Sequence, residues 1–217
     1  NQQKALFPVK DAVIITNFSE MNEAETLENV AHFGALYISN LLEANSVLGI
    51  SNGNSVNNVV RRFQRMQACS LQVVQLIGSG SNAYRAIESR DMVNQLTTEY
   101  PGKAFFLNTP LYMDNSFSRE QLLMDPAISE TFQMMKQCDV ILTGLGYFDK
   151  EQLTTAQIIK EYQTPEHVAE LSEKGAVGCI CALYYDIHGN YIPCEWNSKC
   201  IAIPFSDIKA NNMTVAI

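Results

Sequence analysis

Five residues, Ser51-Asn52-Gly53-Asn54-Ser55, stand between the apolar run "SVLGI" and the helical pattern "SVNNVVRRFQRM". A plain turn needs one or two short polar residues, whereas a loop that brings bare backbone N–H groups up to an anion needs several. A helix N-terminus supplies unpaired N–H groups and partial positive charge, so a phosphate docks there without a lysine. Ser55 either caps that helix or donates its hydroxyl to the anion. The competing reading is an ordinary strand-to-helix turn. No Gly-Lys-Ser/Thr follows, so this is not a Walker loop.

Two more glycine-bearing strand ends carry the same potential. In "LTGLGYFD", Gly144, Leu145 and Gly146 allow the backbone to approach a ligand closely, or merely to turn. In "LIGSGSN", Gly78, Ser79 and Gly80 lead to Asn82, a partner for a hydroxyl. "FLNTPLY" offers Asn108 and Tyr112 around Pro110, though the stretch reads rather as a strand terminator. Trp196 reads as packing, Asp186 as the cap of a turn in "YYDIHGN", and His188 as an exposed turn residue.

Residues for covalent chemistry are missing. There is no Ser-His-Asp spacing, no HExxH and no nucleophile elbow. Asp139 and Asp149 flank the Gly144 strand end but read as turn and cap residues. The six cysteines form no CxxC pair and lie mostly in apolar runs, which reads as reduced, buried thiols in a cytoplasmic protein. No catalytic residue, metal ligand or cofactor is assigned.

Composition sets the outer bounds. With 217 residues, 47% of them hydrophobic, the chain suits one or at most two compact domains with a full core. A formal net charge of -8 argues against a broad nucleic-acid or anionic-membrane surface, though not against one small anion site built of backbone amides. No apolar run reaches the roughly 18 residues of a membrane span, and the "NQQK" start lacks a signal-peptide core.

The elements that must position these loops alternate. Strands are expected at "DAVIITNF" (Asp11 to Phe18), "SVLGI", "SLQVVQLIG", "KAFFLNTPLY" and "DVILTGLG". Helices are expected at "EAETLENVAHFGALYISNLL", "SVNNVVRRFQRM", "ESRDMVNQLTTEY" and, started by Asp125-Pro126, "DPAISETFQMMKQC". Near-continuous apolar strands joined by helices imply a mostly parallel Rossmann-like α/β sheet with helices on both faces. Ligands bind such sheets at the carboxyl ends of strands, where the strand order reverses, and the glycine loops lie at those ends. After Tyr147 a polar helical excursion is expected. Next come the strand-like runs "AVGCICALYYD", "YIPCEWN" and "CIAIPFSDIK", with a β-hairpin turning at "DIHGN".

In order and spacing, "GISNGNSVNNVV", "VVQLIGSGSN", "FFLNTPLY", "DVILTGLGYFD", "GAVGCICALYYDIHGN" and "CIAIPFSDIK" resemble the effector-binding domain of SorC/DeoR-type sugar-binding transcriptional regulators. The resemblance runs from about Asp11 to the end of the chain. It implies a phosphosugar-isomerase-like fold, similar to ribose-5-phosphate isomerase and glucosamine-6-phosphate deaminase. It also implies a non-enzymatic domain, residues 1–217, that senses a phosphorylated sugar. By resemblance the phosphate loop is Ser51, Asn52, Gly53, Asn54 and Ser55, the GxG strand end is Gly144, Leu145 and Gly146, and the sugar-facing loops hold Gly78, Ser79, Gly80 and Asn108. The implied partners are the phosphosugar, further copies of the chain in a dimer or tetramer, and operator DNA, reached only through an N-terminal helix-turn-helix absent here. No membrane partner is implied.

Two departures stand out. Cys179 occupies a position after "AVG" where such domains often carry an acid. A "GG…K" segment and helix that follow the last strand in the family are not found after "NNMTVAI". The alternatives are a sugar-phosphate isomerase or deaminase, which needs a carboxylate base and an acid, and a nucleotide- or CoA-binding enzyme, for which no GxGxxG follows the first strand.

Overall fold

The computed structural model describes residues 10–16, 22–63, 70–80, 88–149, 153–154 and 162–217. In chain order the described elements begin with α1 (Glu23–Ser39), β1 (Val47–Ile50), α2 (Asn54–Val60), β2 (Leu71–Gln75), α3 (Ser89–Glu99) and β3 (Gly102–Phe105). They continue with α4 (Ser116–Leu123), α5 (Pro126–Met135), β4 (Val140–Thr143), β5 (Leu145–Asp149), β6 (Leu153–Thr154) and α6 (Pro165–Glu173). The last are β7 (Ala176–Ile180), β8 (Leu183–Asp186), α7 (Glu195–Lys199), α8 (Phe205–Ala210) and β9 (Thr214–Ala216).

Five strands form one sheet in the order β3-β2-β1-β4-β9, and every pairing in it is parallel. Because neighbouring residues of a strand point to opposite faces, the sheet feeds two cores. Leu48, Ile50, Val73 and Leu142 pack with α1, α2 and α3 on one side. Val47, Val74 and Ile141 point to the other side, where Ile128 and Met135 of α5 join Tyr184, Trp196 and Ile203. The expected parallel sheet covered on both faces is therefore present.

Five described helices are started by side chains, one of them α7, where Cys194 Sγ accepts from the Asn197 N–H. Asn22 and Glu25 close a capping box on α1, Asn115 caps α4, Asp125 caps α5 ahead of Pro126, and Thr164 caps α6.

The second half departs from the sequence reading. Residues 11–16 of the expected first strand are not strand, and Asn17 and Phe18 lie outside the described residues. The edge of the sheet beside β4 is taken by β9 instead, and residues 10–15 line a groove with Phe33, Tyr37 and 211–217. An apolar β-branched run states a preference for extended backbone, but pairing decides the strand.

The chain also does not turn at Gly144. It re-enters strand one residue later as β5, which opens a second, antiparallel sheet of order β6-β5-β7-β8. "AVGCICALYYD" is a two-strand hairpin turning at Cys181-Ala182, both with positive φ (48° and 63°). Without the glycine or asparagine that usually serves such a turn, the sequence reads as one strand. "YIPCEWN" yields α7 rather than a strand, and "CIAIPFSDIK" yields an extended bridge followed by α8.

The turn at "DIHGN" forms as expected. Asp186 accepts from the backbone N–H of His188 (2.9 Å) and of Asn190 (2.8 Å), and Tyr185 bridges Tyr191 across it. Of the expected excursion, α6 is described, while residues 150–152 and 155–161 lie outside the described residues.

Candidate functional site at the carboxyl ends of the strands

In the order β3-β2-β1-β4-β9 the connection reverses direction between β1 and β4, so the crevice of this sheet opens between their carboxyl ends. Ser51 follows β1, and Thr143 is the last residue of β4. Both are buried. The Ser51 hydroxyl donates to Thr143 Oγ1 at 3.0 Å, and the Thr143 hydroxyl donates to the Gly144 carbonyl at 3.0 Å. The Ser51 backbone N–H donates to the Leu142 carbonyl at 3.1 Å, extending the parallel ladder one residue past β1.

The loop above this pair is open. Gly53 is the N-cap of α2 with φ 133°, a backbone conformation that side-chain-bearing residues rarely adopt, and no side chain caps that helix. A Cβ built on Gly53 or on Gly144 meets nothing within 4 Å. At the switch point there is therefore open space beside the N-terminus of α2. Ser55 lies inside the first turn and makes no capping bond, so the N-cap reading of Ser55 gives way to Gly53. Like α3 and α8, α2 has no side-chain cap, whereas α1, α4, α5, α6 and α7 each receive at least one capping bond from a side chain.

Asn52 ties this loop to the next helix. Its Oδ1 accepts from the backbone N–H of Ser89, the first residue of α3, at 2.7 Å, while its Nδ2 is buried with no hydrogen-bond partner among the described residues. Asn54 is exposed at the start of α2.

The remaining expected residues stand on neighbouring strand ends. After β2, Gly78 is held by packing, because a Cβ there would come within 2.3 Å of the Pro110 carbonyl oxygen. The backbone N–H groups of Gly78 and Ser79 are donated to the Ile201 and Thr109 carbonyls at 2.9 Å each. Gly80 is half-buried at the limit of the described residues, and Asn82 lies outside them. After β3, Asn108 is exposed and its Oδ1 accepts from Arg90 Nη1 at 2.7 Å. The Arg90 guanidinium also lies 5.2 Å from the Phe106 ring centre. Leu145 is 56% exposed, and Gly146 pairs with Cys179 inside the second sheet. Tyr112 belongs to packing: it stacks on Trp196 (4.7 Å, 18°) and accepts from His167 Nε2 at 2.9 Å. The Thr164 N–H donates to His167 Nδ1, which leaves Nε2 as the protonated nitrogen.

Four residues at the crevice were not singled out from sequence: Thr143, Cys181, Ser89 and Arg90. Thr143 was the legible one, a polar residue ending the otherwise apolar "VILT" directly before a glycine. Cys181 Sγ lies 3.6 Å from Thr143 Oγ1. Burial raises its thiol pKa to about 12 despite the lowering effect of Thr143, so it stays a neutral thiol. Trp196 donates from Nε1 to the Ala182 carbonyl at 2.8 Å and so anchors the same hairpin turn, which agrees with a packing role.

The described residues named at the crevice offer hydroxyl, amide and guanidinium groups. Asp139 accepts from the Val47 N–H at 2.9 Å, the structural use expected of it. Among the described residues no group of three or more His, Cys, Asp and Glu could hold a metal ion. No described helix is long and apolar enough to cross a membrane. Five described cysteines, Cys138, Cys179, Cys181, Cys194 and Cys200, are buried free thiols, and Cys69 lies outside the described residues.

Comparison with known proteins adds an independent line. The family described as "Putative sugar-binding domain" matches residues 1–217. The chain is 25% identical over 221 residues to a sorbitol operon regulator of Klebsiella pneumoniae, covering 100% of this chain and 68% of that protein. It is 22% identical over 189 residues to a deoxyribonucleoside regulator of Bacillus subtilis, covering 87% of this chain and 59% of that protein. Among solved structures, a transcriptional regulator from Streptococcus pneumoniae superposes with a TM-score of 0.89 at 20% identity, over 98% of this chain and 80% of that one.

Proposed function

The chain belongs to the sugar-binding domain family, and from that premise we propose that it is the effector-sensing part of a bacterial transcriptional regulator, binding a phosphorylated sugar at the carboxyl ends of β1 and β4. The observation that carries the reading is Gly53. It sits at the N-terminus of an uncapped helix, at the strand-order reversal, with open space where a side chain would be. A phosphate there receives backbone N–H bonds and the favourable end of the helix dipole, which suits a chain of net charge -8 that places no lysine in the loop.

In this reading Ser51, Asn52, Gly53, Asn54 and Ser55 hold the phosphate, and Gly144, Leu145 and Gly146 form the opposite lip. Gly78, Ser79, Gly80 and Asn108 border the sugar, with Arg90 carried beside Asn108. The domain performs no chemistry of its own, which the matched relatives' names as regulators support. Binding acts by differential affinity: the sugar stabilises one of two states of the whole regulator and so shifts the operator affinity of a helix-turn-helix that lies outside this chain. The whole regulator is a homo-oligomer in the cytoplasm, because operators are commonly read by symmetric assemblies.

A thermal-shift panel of phosphosugars and their free sugars, followed by calorimetry, tests the proposal. A cognate phosphosugar at 100 times its dissociation constant stabilises the fold by about 2.7 kcal/mol. The free sugar binds at least about tenfold more weakly, since charge-assisted hydrogen bonds contribute around 1.5–3 kcal/mol. Equal affinity for the free and phosphorylated forms would refute the phosphate loop.

A further inference from the structure

A second cavity, of about 480 Å³, opens between α4, the turn after β8 and α8. None of the loops assigned to the sugar contributes to it. Its floor is apolar (Leu183, Ala202, Ile203), and one wall is the ring pair Tyr191–Phe205, with centres 5.7 Å apart and planes at 55°. Arg119 and Lys209 also line it, with no carboxylate among the lining residues, in a chain whose acids outnumber its bases 23 to 15.

Arg119 is held in place. Its Nε donates to the carbonyl of Cys200 at 2.8 Å, and the backbone N–H of that same residue donates to the Trp196 carbonyl to close the last turn of α7. Fixing Nε orients the planar guanidinium, and its terminal amino groups have no carboxylate in ion-pair reach among the described residues. The other half-buried cations behave differently: Arg62 and Lys199 each reach a glutamate. A pre-oriented fork of N–H donors beside two aromatic faces suits a planar or cyclic body carrying two or three anionic oxygens. Size agrees, because ligand pockets usually span about 300–1,000 Å³ with few placed polar groups on an apolar lining.

We propose that this cavity is a second ligand site, for a small ring-bearing oxyanion, its phosphate ester or carboxylate on Arg119 and its ring against Tyr191 and Phe205. Asn190 supplies an amide at the rim. Lys209, on the exposed side of α8, adds charge without a fixed bond.

The test uses phenyl phosphate and benzoate as probes, with inorganic phosphate and phenol as the halves of the first. In amide-resolved NMR titrations, phenyl phosphate or benzoate shifts the backbone signals of Tyr191, Phe205 and Ser206. Phenol and inorganic phosphate each bind at least about tenfold more weakly, because each forfeits either the charge-assisted bonds or the ring contact. The tighter of the two anionic probes identifies the head group. Arg119→Gln, which retains a donor for the Cys200 carbonyl, weakens the better probe at least about tenfold, and Phe205→Leu weakens it several-fold with an unchanged melting temperature. Phenol binding as well as phenyl phosphate, no saturable binding of either anion at millimolar concentration, or probe shifts confined to residues 51–55 would each overturn the assignment. So would unchanged affinity in a folded Arg119→Gln.

Discussion

Ser51 and Thr143, 92 residues apart in sequence, join hydroxyl to hydroxyl at 3.0 Å across the point where the strand order reverses. The bond closes the floor of the crevice. Below it the β1–β4 ladder runs through buried apolar residues, and above it lie the open positions at Gly53 and Gly144. Thr143→Val keeps the shape and removes the shared oxygen, leaving Ser51 only its longer bond to the Asn52 carbonyl (3.3 Å). Chemical denaturation is expected to show a loss of about 0.5–1.5 kcal/mol, the usual net worth of one hydrogen bond. A Ser51→Ala/Thr143→Val double variant should cost less than the sum of the single changes, since both remove the same bond.

Gly53→Val separates binding from folding. Nothing lies within 4 Å of the added Cβ, so no clash opposes the fold. At φ 133° a branched side chain is strained, and the loop must move out of the conformation that presents its N–H groups. Calorimetry is expected to show phosphosugar binding abolished, with a cooperative unfolding transition retained. Wild-type affinity in this variant would move the ligand elsewhere. Ser55→Ala is milder, a loss of about 0.5–1.5 kcal/mol in binding for one hydroxyl donor, with little effect on stability because Ser55 caps nothing.

Asp186 gives a pH signature. Bonds from the backbone N–H of Asn190, its side-chain amide and the His188 N–H hold the carboxyl below the ordinary aspartate range. A depressed folded pKa means the stabilisation is fully present above the unfolded pKa and is lost as pH falls through the folded one. The melting-temperature difference between wild type and Asp186→Ala should therefore be largest near neutrality and shrink as pH drops through and below the ordinary aspartate range. A pH-independent difference would assign the effect to turn geometry alone.

The buried thiols should be inert in the folded state. Burial raises both Cys138 and Cys181 to about 12 and Cys200 higher still, which removes the thiolate that reacts. Site-resolved alkylation at neutral pH is expected to leave these three unmodified until denaturant is added. Labelling of Cys181 in the native protein would show that the hairpin at Cys181-Ala182 opens.

The first half of the fold was readable because its local cues agree: Asp125-Pro126 starts α5, and the apolar runs at Val47–Ile50 and Val140–Thr143 are the central strands. The second half hides its turns. Cys181 and Ala182 adopt a left-handed turn that neither residue type advertises, and Trp196 and Thr143 hold it from outside the segment. Residues 11–16, where a strand was expected, show the converse, a local preference with no pairing strand among the described residues. At the candidate site, glycines and short polar residues were legible as loops, but the Gly78 requirement turned out to be contact with Pro110. Arg90 was invisible, because a cation in the first turn of a helix carries no cue that it will lie beside Asn108.

Gly144 alone separates the last parallel strand, β4, from the first antiparallel one, β5. Two backbone torsions thus form the joint between the two sheets at this crossing, and the crevice opens directly at that joint. The five residues of β5 form an arm of about 16 Å at about 3.3 Å per residue. A rotation of about 10° at Gly144 would carry the far end of that arm nearly 3 Å, about a strand residue's rise. The crevice thus lies where the parallel sheet hands over to the antiparallel one, and the β5–β7 pairing and the Thr143–Cys181 contact are what hold that angle.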